Sequence, residues 1–271
     1  KFEIIISTVS QLYLYYISFS ISMKLLLPLI ALLLILQFSS CDSRTEAEKI
    51  VDASIAVHGG KTFENTLIDF DFRNIHYTIY KKPSAFEYIR EFTDSTGTVR
   101  DVLNNSGFVR TVNGTQIDTL TDERVGAFSR SINSVAYFAF LPYGLNDAAA
   151  VKTYLGEAEI KSKKYHLIKV TFVPEGGGEH YEDEFLYWFG VEDHFLDYMA
   201  YSYHTDGGGV RMRDVSDVIE VGGIRFQNYL NLKPQDKNTP VEKMQELYIS
   251  DNLELLSEII LENIEVKPIP N

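Results

Sequence analysis

The densest group of ionisable side chains lies between His180 and Asp206: His180, Glu182, Asp183, Glu184, Glu192, Asp193, His194, His204 and Asp206. Two histidines and a carboxylate brought together suit a zinc or iron ion, because neutral imidazole and carboxylate oxygen are ligands that such ions take. Spacing restricts the set. His180 and His194 bracket one apolar run, about fourteen residues or roughly 45 Å of extended chain apart, and His194 and His204 bracket the next. Only His180 and His204 fall at one end, with Asp206 beside them. The pattern therefore reads first as acidic hairpin tips in water, with a metal-assisted hydrolase at those tips as the rival. No G-x-S-x-G elbow is present, and Gly207-Gly208-Gly209 is followed by neither a helix nor a Lys, which argues against a phosphate cradle. No catalytic residue, metal or cofactor is assigned. Arg211 and Arg213 share one face of a strand-like run. Ion pairs with the acidic surface are expected of them, and contact with an anionic headgroup is the sharper alternative.

Chemistry of another kind centres on Cys41, the single cysteine of the chain. One thiol excludes an internal disulfide and any cysteine-based zinc site. It follows Ser39-Ser40 at the end of an apolar run, Leu25 to Phe38, interrupted only by Gln37 and preceded by Met23-Lys24. That run is shorter than the roughly 20 residues a bilayer core requires. The order basic, apolar, small fits a secretory signal. A Cys directly after two small residues resembles the lipobox of bacterial lipoproteins, in which the thiol is acylated and the chain is cut before it; Phe38 departs from the aliphatic residue usual three places earlier. The expected plan is an upstream extension over 1–22, since Met23-Lys24 looks like a true start, a lipoprotein signal over 23–40, lipidation at Cys41, a tether over 41–46 and a single domain over 47–267.

The elements that must position these groups follow from the hydrophobic period. Ala47, Ile50, Val51, Ser54, Ile55 and His58 recur at helical spacing and Gly59-Gly60 ends them, with His58 expected to cap its own helix as a cation. From Leu67 the period becomes two, and its parity switches near Arg73-Asn74, which reads as a bulge. Strand-like runs cover 84–93, 98–104, 107–113 and 116–120, divided by Gly and Asn turn signals. Thr121 is a plausible N-cap for a helix from Asp122 to Ala139, and a short helix is read from Asp147 to Leu155. The chain then returns to strands: Tyr165–Val173, Glu184–Val191, Phe195–His204, Val210–Val221, Ile224–Leu232, Gln245–Asn252 and Ile259–Val266. So many strands at hairpin spacing with few helices give an α+β fold, a strongly curved antiparallel sheet, a half-open barrel of about eleven strands, packed around one or two helices.

The acidic excess, 38 Asp+Glu against 25 Lys+Arg for a net charge of -13, removes nucleic acid as a partner, because phosphate binding requires a positive face. Tyr and Phe number 17 each, and they concentrate in strands. They either fill the core or line a concave interior. Phe70, Phe72, Tyr187, Trp188, Phe189, Tyr198, Tyr201 and Tyr203 are the candidates for lining it. The lining role requires that the bulky stretch Val135–Leu141 leave a cavity of about 300 Å³ or more.

The lipobox, the helix ending in His58-Gly59-Gly60, the meander with a central helical segment, the run Tyr154-Leu155-Gly156-Glu157 before a strand, and the aromatic pair of strands from Phe185 to Tyr203 together resemble a family of envelope lipoproteins of Gram-negative bacteria. Its fold is that of the LolA/LolB-like outer-membrane lipoprotein carriers. The resemblance implies an incomplete, strongly curved barrel closed by helices, with an apolar cavity for acyl chains. A soluble carrier has no acylated Cys of its own, so the expectation is an anchored, non-catalytic binder of a lipid or acyl chain, held in the cell envelope at the outer membrane, periplasmic or surface-exposed. A structural envelope protein with a filled core is the further alternative.

Overall fold

The computed structural model describes residues 43–82, 84–173 and 182–269. The segments 1–22 and 23–40, Cys41 and His180 lie outside them. Helix α1, Glu46–Val57, starts from a reciprocal cap: the Thr45 hydroxyl accepts from the Glu48 amide at 3.2 Å, and the Glu48 carboxylate accepts from the Thr45 amide at 2.7 Å. This satisfies two donors that a helix start leaves open. Ala47, Ile50, Val51, Ser54 and Ile55 form its buried face. At its end His58 is fully buried, and burial pushes its pKa down to about 4. The expected cationic cap is therefore corrected: a neutral ring donates from Nδ1 to the Ser54 carbonyl at 2.8 Å, because desolvation disfavours the charged form.

Six strands follow: β1 Thr66–Phe72, β2 Ile75–Lys82, β3 Ala85–Asp94, β4 Gly97–Asn104, β5 Gly107–Val112 and β6 Thr115–Gln116. Between β1 and β2 there is a two-residue hairpin, with Arg73 at φ 52° and Asn74 at φ 61°, and not the expected bulge. Ile68 faces Ile79 and Phe70 faces Tyr77 across it. Such a turn pairs even with odd positions, which is why the inward parity switches in the sequence. Gly97, at φ 128°, closes the β3–β4 turn where any Cβ would sit 2.3 Å from the Asn113 side chain; that side chain accepts from the Thr98 amide at 3.0 Å.

Helix α2, Asp122–Ala139, crosses between the sheets, and its N-terminus is capped by the Thr121 hydroxyl. The second half holds β7 Ala150–Ile160, β8 Lys163–Phe172, β9 Glu184–Gly190, β10 Leu196–Tyr203, β11 Gly209–Val221, β12 Ile224–Lys233, helix α3 Met244–Ile249, β13 Glu254–Ile259 and β14 Glu262–Pro268. The single strand expected over Ile259–Val266 is divided between β13 and β14, in different sheets, and two expectations of element type are overturned. Residues 147–155 are mostly strand, because exposed Val151, Thr153 and Leu155 alternate with half-buried Lys152 and Tyr154 on an edge, and Asn146 donates to Asp52 at 2.7 Å instead of capping. Most of Gln245–Asn252 is helix, because Met244, Leu247 and Tyr248 stand three and four apart and cover one patch of the second sheet.

All pairing is antiparallel. The first sheet runs β14-β1-β2-β3-β4-β5-β6 and the second β13-β12-β11-β10-β9-β8-β7, fourteen described strands against the eleven expected, and the sheets are left open. This is the expected α+β class, with β13 and β14 carrying the chain from one sheet to the other. Strand β9 is apolar at consecutive positions because both faces are covered: Phe185, Tyr187 and Phe189 meet α1 and α2 inside, while Leu186 and Trp188 meet α3 outside. Full burial of each such side chain contributes about 1.5–3 kcal/mol. A register shift between Leu196 and Tyr198 turns β10 over, so Leu196, Met199 and Tyr201 face in and Tyr198 faces out.

Candidate functional site

Helix α2 lies on the inner side of both sheets, and its buried positions Ile132, Ala136 and Ala139 enter the core of the first. A charge cluster fastens it there. Asp101, fully buried, accepts from Arg90 Nε at 2.7 Å and from Arg110 Nε at 2.6 Å, Arg90 also donates to Ser131 on α2 at 2.9 Å, and the Arg110 guanidinium stacks 3.7 Å from the Phe128 ring centre. On the other side the hydroxyls of Tyr137 (α2) and Tyr187 (β9) share a hydrogen bond. Burial pushes both phenols well above the ordinary tyrosine range, so both stay neutral.

So held, α2 does not fill the space. Among the described residues, cavities of about 470 Å³ and about 400 Å³ stand beside it, both above the size that ligand binding requires. The larger is walled by Tyr137 and Phe138 of α2 and by Phe172, Phe185, Tyr201 and Tyr203 of the second sheet. Its rings are in ordered contact: Phe185 stacks on Tyr201 at 5.6 Å and meets Phe172 edge-on at 5.7 Å. The smaller is walled by Phe72 and Tyr77 of the first sheet, Val135 and Phe138 of α2, and Tyr229 and Leu261. Ser131, Ser134 and Phe138 line both. Ser131 and Ser134 are exposed, so the cavities open to solvent beside the helix.

Of the residues expected from the sequence, Tyr201 and Tyr203 stand on the larger cavity and Phe72 on the smaller. Phe70, Tyr187 and Phe189 are on the inner side but packed below the cavity walls. Trp188 and Tyr198 are on the outer face; the indole donates to Gln245 at 2.8 Å and the Tyr198 ring packs on Tyr248. Sequence reasoning missed Tyr137, Phe138, Phe172, Phe185 and Tyr229. Phe185 was within reach, since it shares parity with Tyr187 and Phe189; Tyr137 and Phe138 lie in the bulky stretch Val135–Leu141, which was expected to face the cavity only as filler.

The acidic cluster is largely engaged elsewhere. Asp193 and Asp197 both bind Lys163, at 2.7 and 2.6 Å, Glu184 binds Lys169 at 2.7 Å, and His204 Nδ1 lies 3.4 Å from Asp183. Among the described residues no three His, Cys, Asp or Glu side chains converge on a metal position. The expected ion pairs of the two inward arginines are also absent among the described residues. Arg211 donates to the Tyr203 hydroxyl at 2.6 Å, and Arg213, 5% exposed, donates to the Tyr201 hydroxyl at 3.2 Å. The acids near them in sequence point to the other face, where Asp214 accepts from Tyr248. Burying an unpaired guanidinium costs on the order of several kcal/mol, offset here in part by the Phe138 ring beneath it.

A family model described as a family of unknown function (DUF6503) matches residues 28–263. No curated protein matches the chain. Among solved structures it is similar to a LolA superfamily protein from Nitrosomonas europaea, at 10% identity and TM-score 0.47, over 84% of this chain and 96% of that one. It is also similar to a DUF1329 family protein from Desulfovibrio piger, at 8% identity and TM-score 0.38, over 82% and 93%. A third is the lipoprotein LppX from Mycobacterium tuberculosis, at 11% identity and TM-score 0.26, over 62% and 93%.

Proposed function

The chain belongs to the family of unknown function DUF6503, and from that footing we propose that it is an envelope lipoprotein which binds an apolar ligand, a lipid or acyl chain, on the inner face of its curved sheets, without a chemical step. One observation carries this reading. The helix that occupies the inner face leaves about 470 and 400 Å³ on its two sides, and aromatic rings of both sheets stand on the walls among polar side chains. A fold that used these rings only as filler would close over α2, since interiors pack to crystal-like density. The anchor is assigned to Cys41, behind the apolar run and two serines, which would hold the cavity domain at a membrane surface and supply apolar ligand at short range.

The test uses the full chain extracted from membranes in mild detergent. Native mass spectrometry is expected to show a co-purifying lipid, and the neutral apolar dye N-phenyl-1-naphthylamine is expected to brighten on binding and to be displaced by lipid. A chain that carries no lipid and leaves the dye dark would overturn the reading.

A further inference from the structure

The smaller cavity contains one feature that an apolar ligand does not explain. Arg213, in the middle of β11 between Met199 of β10 and Asn231 of β12, is 5% exposed and lines this cavity. Its guanidinium carbon lies 3.2 Å from the centre of the Phe138 ring, 5.4 Å from that of Tyr201 and 6.0 Å from that of Tyr229. One nitrogen, Nη2, donates to the Tyr201 hydroxyl, whereas Nε and Nη1 have no acceptor. A guanidinium remains charged at any ordinary pH, and buried charges in proteins are normally paired.

The surroundings add positive charge. Arg73 and Arg90 line the same cavity. Arg90 shares the Asp101 carboxylate with Arg110, so this arrangement holds two guanidiniums for one carboxylate. The neutral polar groups on the wall are mostly used up: Gln227 donates to the Leu196 carbonyl at 2.6 Å and accepts from the Tyr229 hydroxyl at 2.9 Å. In a chain of net charge -13, a buried guanidinium with no carboxylate beside an aromatic cavity is a specific arrangement, because acids to neutralise it are abundant in the sequence and none lines this cavity among the described residues.

We infer that Arg213 is the anchoring cation of an anion-binding subsite, so that the ligand of the inner face is an amphipathic anion: a carboxylate or phosphate joined to an acyl chain. The anion's oxygens accept from Nε and Nη1, and the chain lies against Phe72, Tyr77, Val135, Phe138 and Leu261. Charge-assisted bonds of this kind are short and strong in a dry site, and the flat guanidinium stays oriented by the ring below it. The inference rests on the apolar-ligand reading above and narrows it to one charge class. A purely structural Arg213 has its own prediction: a water bridging it to the Asn231 side-chain oxygen, which likewise lacks a partner, gives no preference for an anion.

The full chain is titrated with oleate, methyl oleate and inorganic phosphate, each by displacement of N-phenyl-1-naphthylamine, with calorimetry for phosphate. Oleate is expected to bind at least tenfold more tightly than methyl oleate. Arg213→Met, which keeps an apolar chain over Phe138, is expected to abolish that preference while methyl oleate affinity stays within threefold; Arg213→Lys retains part of it. Thermal melts of both variants establish that they are folded, and the oleate-to-ester ratio within the wild type is independent of them. Equal binding of oleate and its ester by the wild type overturns the anion subsite and leaves the apolar reading standing. Binding of none of the three overturns both. Phosphate binding that is lost in Arg213→Met, with no oleate binding, supports the subsite and identifies a free anion as its source.

Discussion

Asp101 and Arg90 are joined by a 2.7 Å bond between carboxylate Oδ2 and Nε, and neither residue is more than 6% exposed. Arg110 takes both oxygens of the same carboxylate, at 2.6 and 2.8 Å. Since Arg90 and Arg110 also hold Ser131 and Phe128 of α2, this one acid fixes the helix on which both cavities depend. Removing one member of a buried charge cluster leaves the rest unpaired, which typically costs about 3–5 kcal/mol. Asp101→Asn is expected to lower the unfolding free energy by about 3 kcal/mol or more in urea titrations; a loss under about 1 kcal/mol contradicts the role given to the cluster.

His58 makes stability depend on pH. Its folded pKa is lowered from 6.5 to about 4 by burial, while in the unfolded chain it titrates near the ordinary value of about 6.5. Between these values the unfolded state binds more protons, so stability rises with pH there and is lost as pH falls from about 6.5 to about 4. The loss is about 3 kcal/mol for a shift of this size. Urea midpoints at four pH values, with His58→Gln as reference, read it as a difference; parallel curves for the two proteins would refute it.

The Tyr137 and Tyr187 hydroxyls satisfy each other in the interior. Removing one leaves a buried hydroxyl unbonded, whereas removing both leaves two rings of nearly the same shape. Tyr187→Phe is expected to cost about 1–2 kcal/mol, and the double variant with Tyr137→Phe less than the sum of the singles. Additive losses in a double-mutant cycle would show that the bond contributes nothing.

Ser134 is exposed and lines both cavities. A phenyl ring there meets little packed structure but obstructs the entrance. Ser134→Phe is expected to weaken N-phenyl-1-naphthylamine binding at least tenfold with the melting temperature changed by only about 2–3 °C. Unchanged dye affinity places the binding surface elsewhere.

Acylation of Cys41 is tested by mass spectrometry of the membrane fraction. The expected product begins at Cys41 and carries lipid, and Cys41→Ala is expected to leave the membrane. An unmodified thiol, or retention of the alanine variant, rejects the anchor.

Local order was legible in the sequence. The apolar spacing of α1 and α2, the Thr121 cap of α2, the Asn-Gly and Gly-Gly turns and the alternation of most strands are short-range patterns, and the α+β class follows from them. A helix period or a turn needs only neighbours within a few residues to declare itself. What only the tertiary structure decided was which face of each strand looks inward once bulges and covering helices act. Tyr198 and Tyr201 lie three apart in one aromatic run, yet the β10 register shift sends the first outward to Tyr248 and the second to the cavity. Trp188 and Phe189 are adjacent and equally apolar, and α3 on the outer face gives both a core. The same holds for charge: Arg213 reads in sequence as one of many surface cations among acids, and only the pairing of β11 between β10 and β12 turns it to the Phe138 ring, away from every described carboxylate. Side-chain direction in a sheet has period two, so one shift of register exchanges inside for outside along a strand, and no residue type reports where that shift occurs.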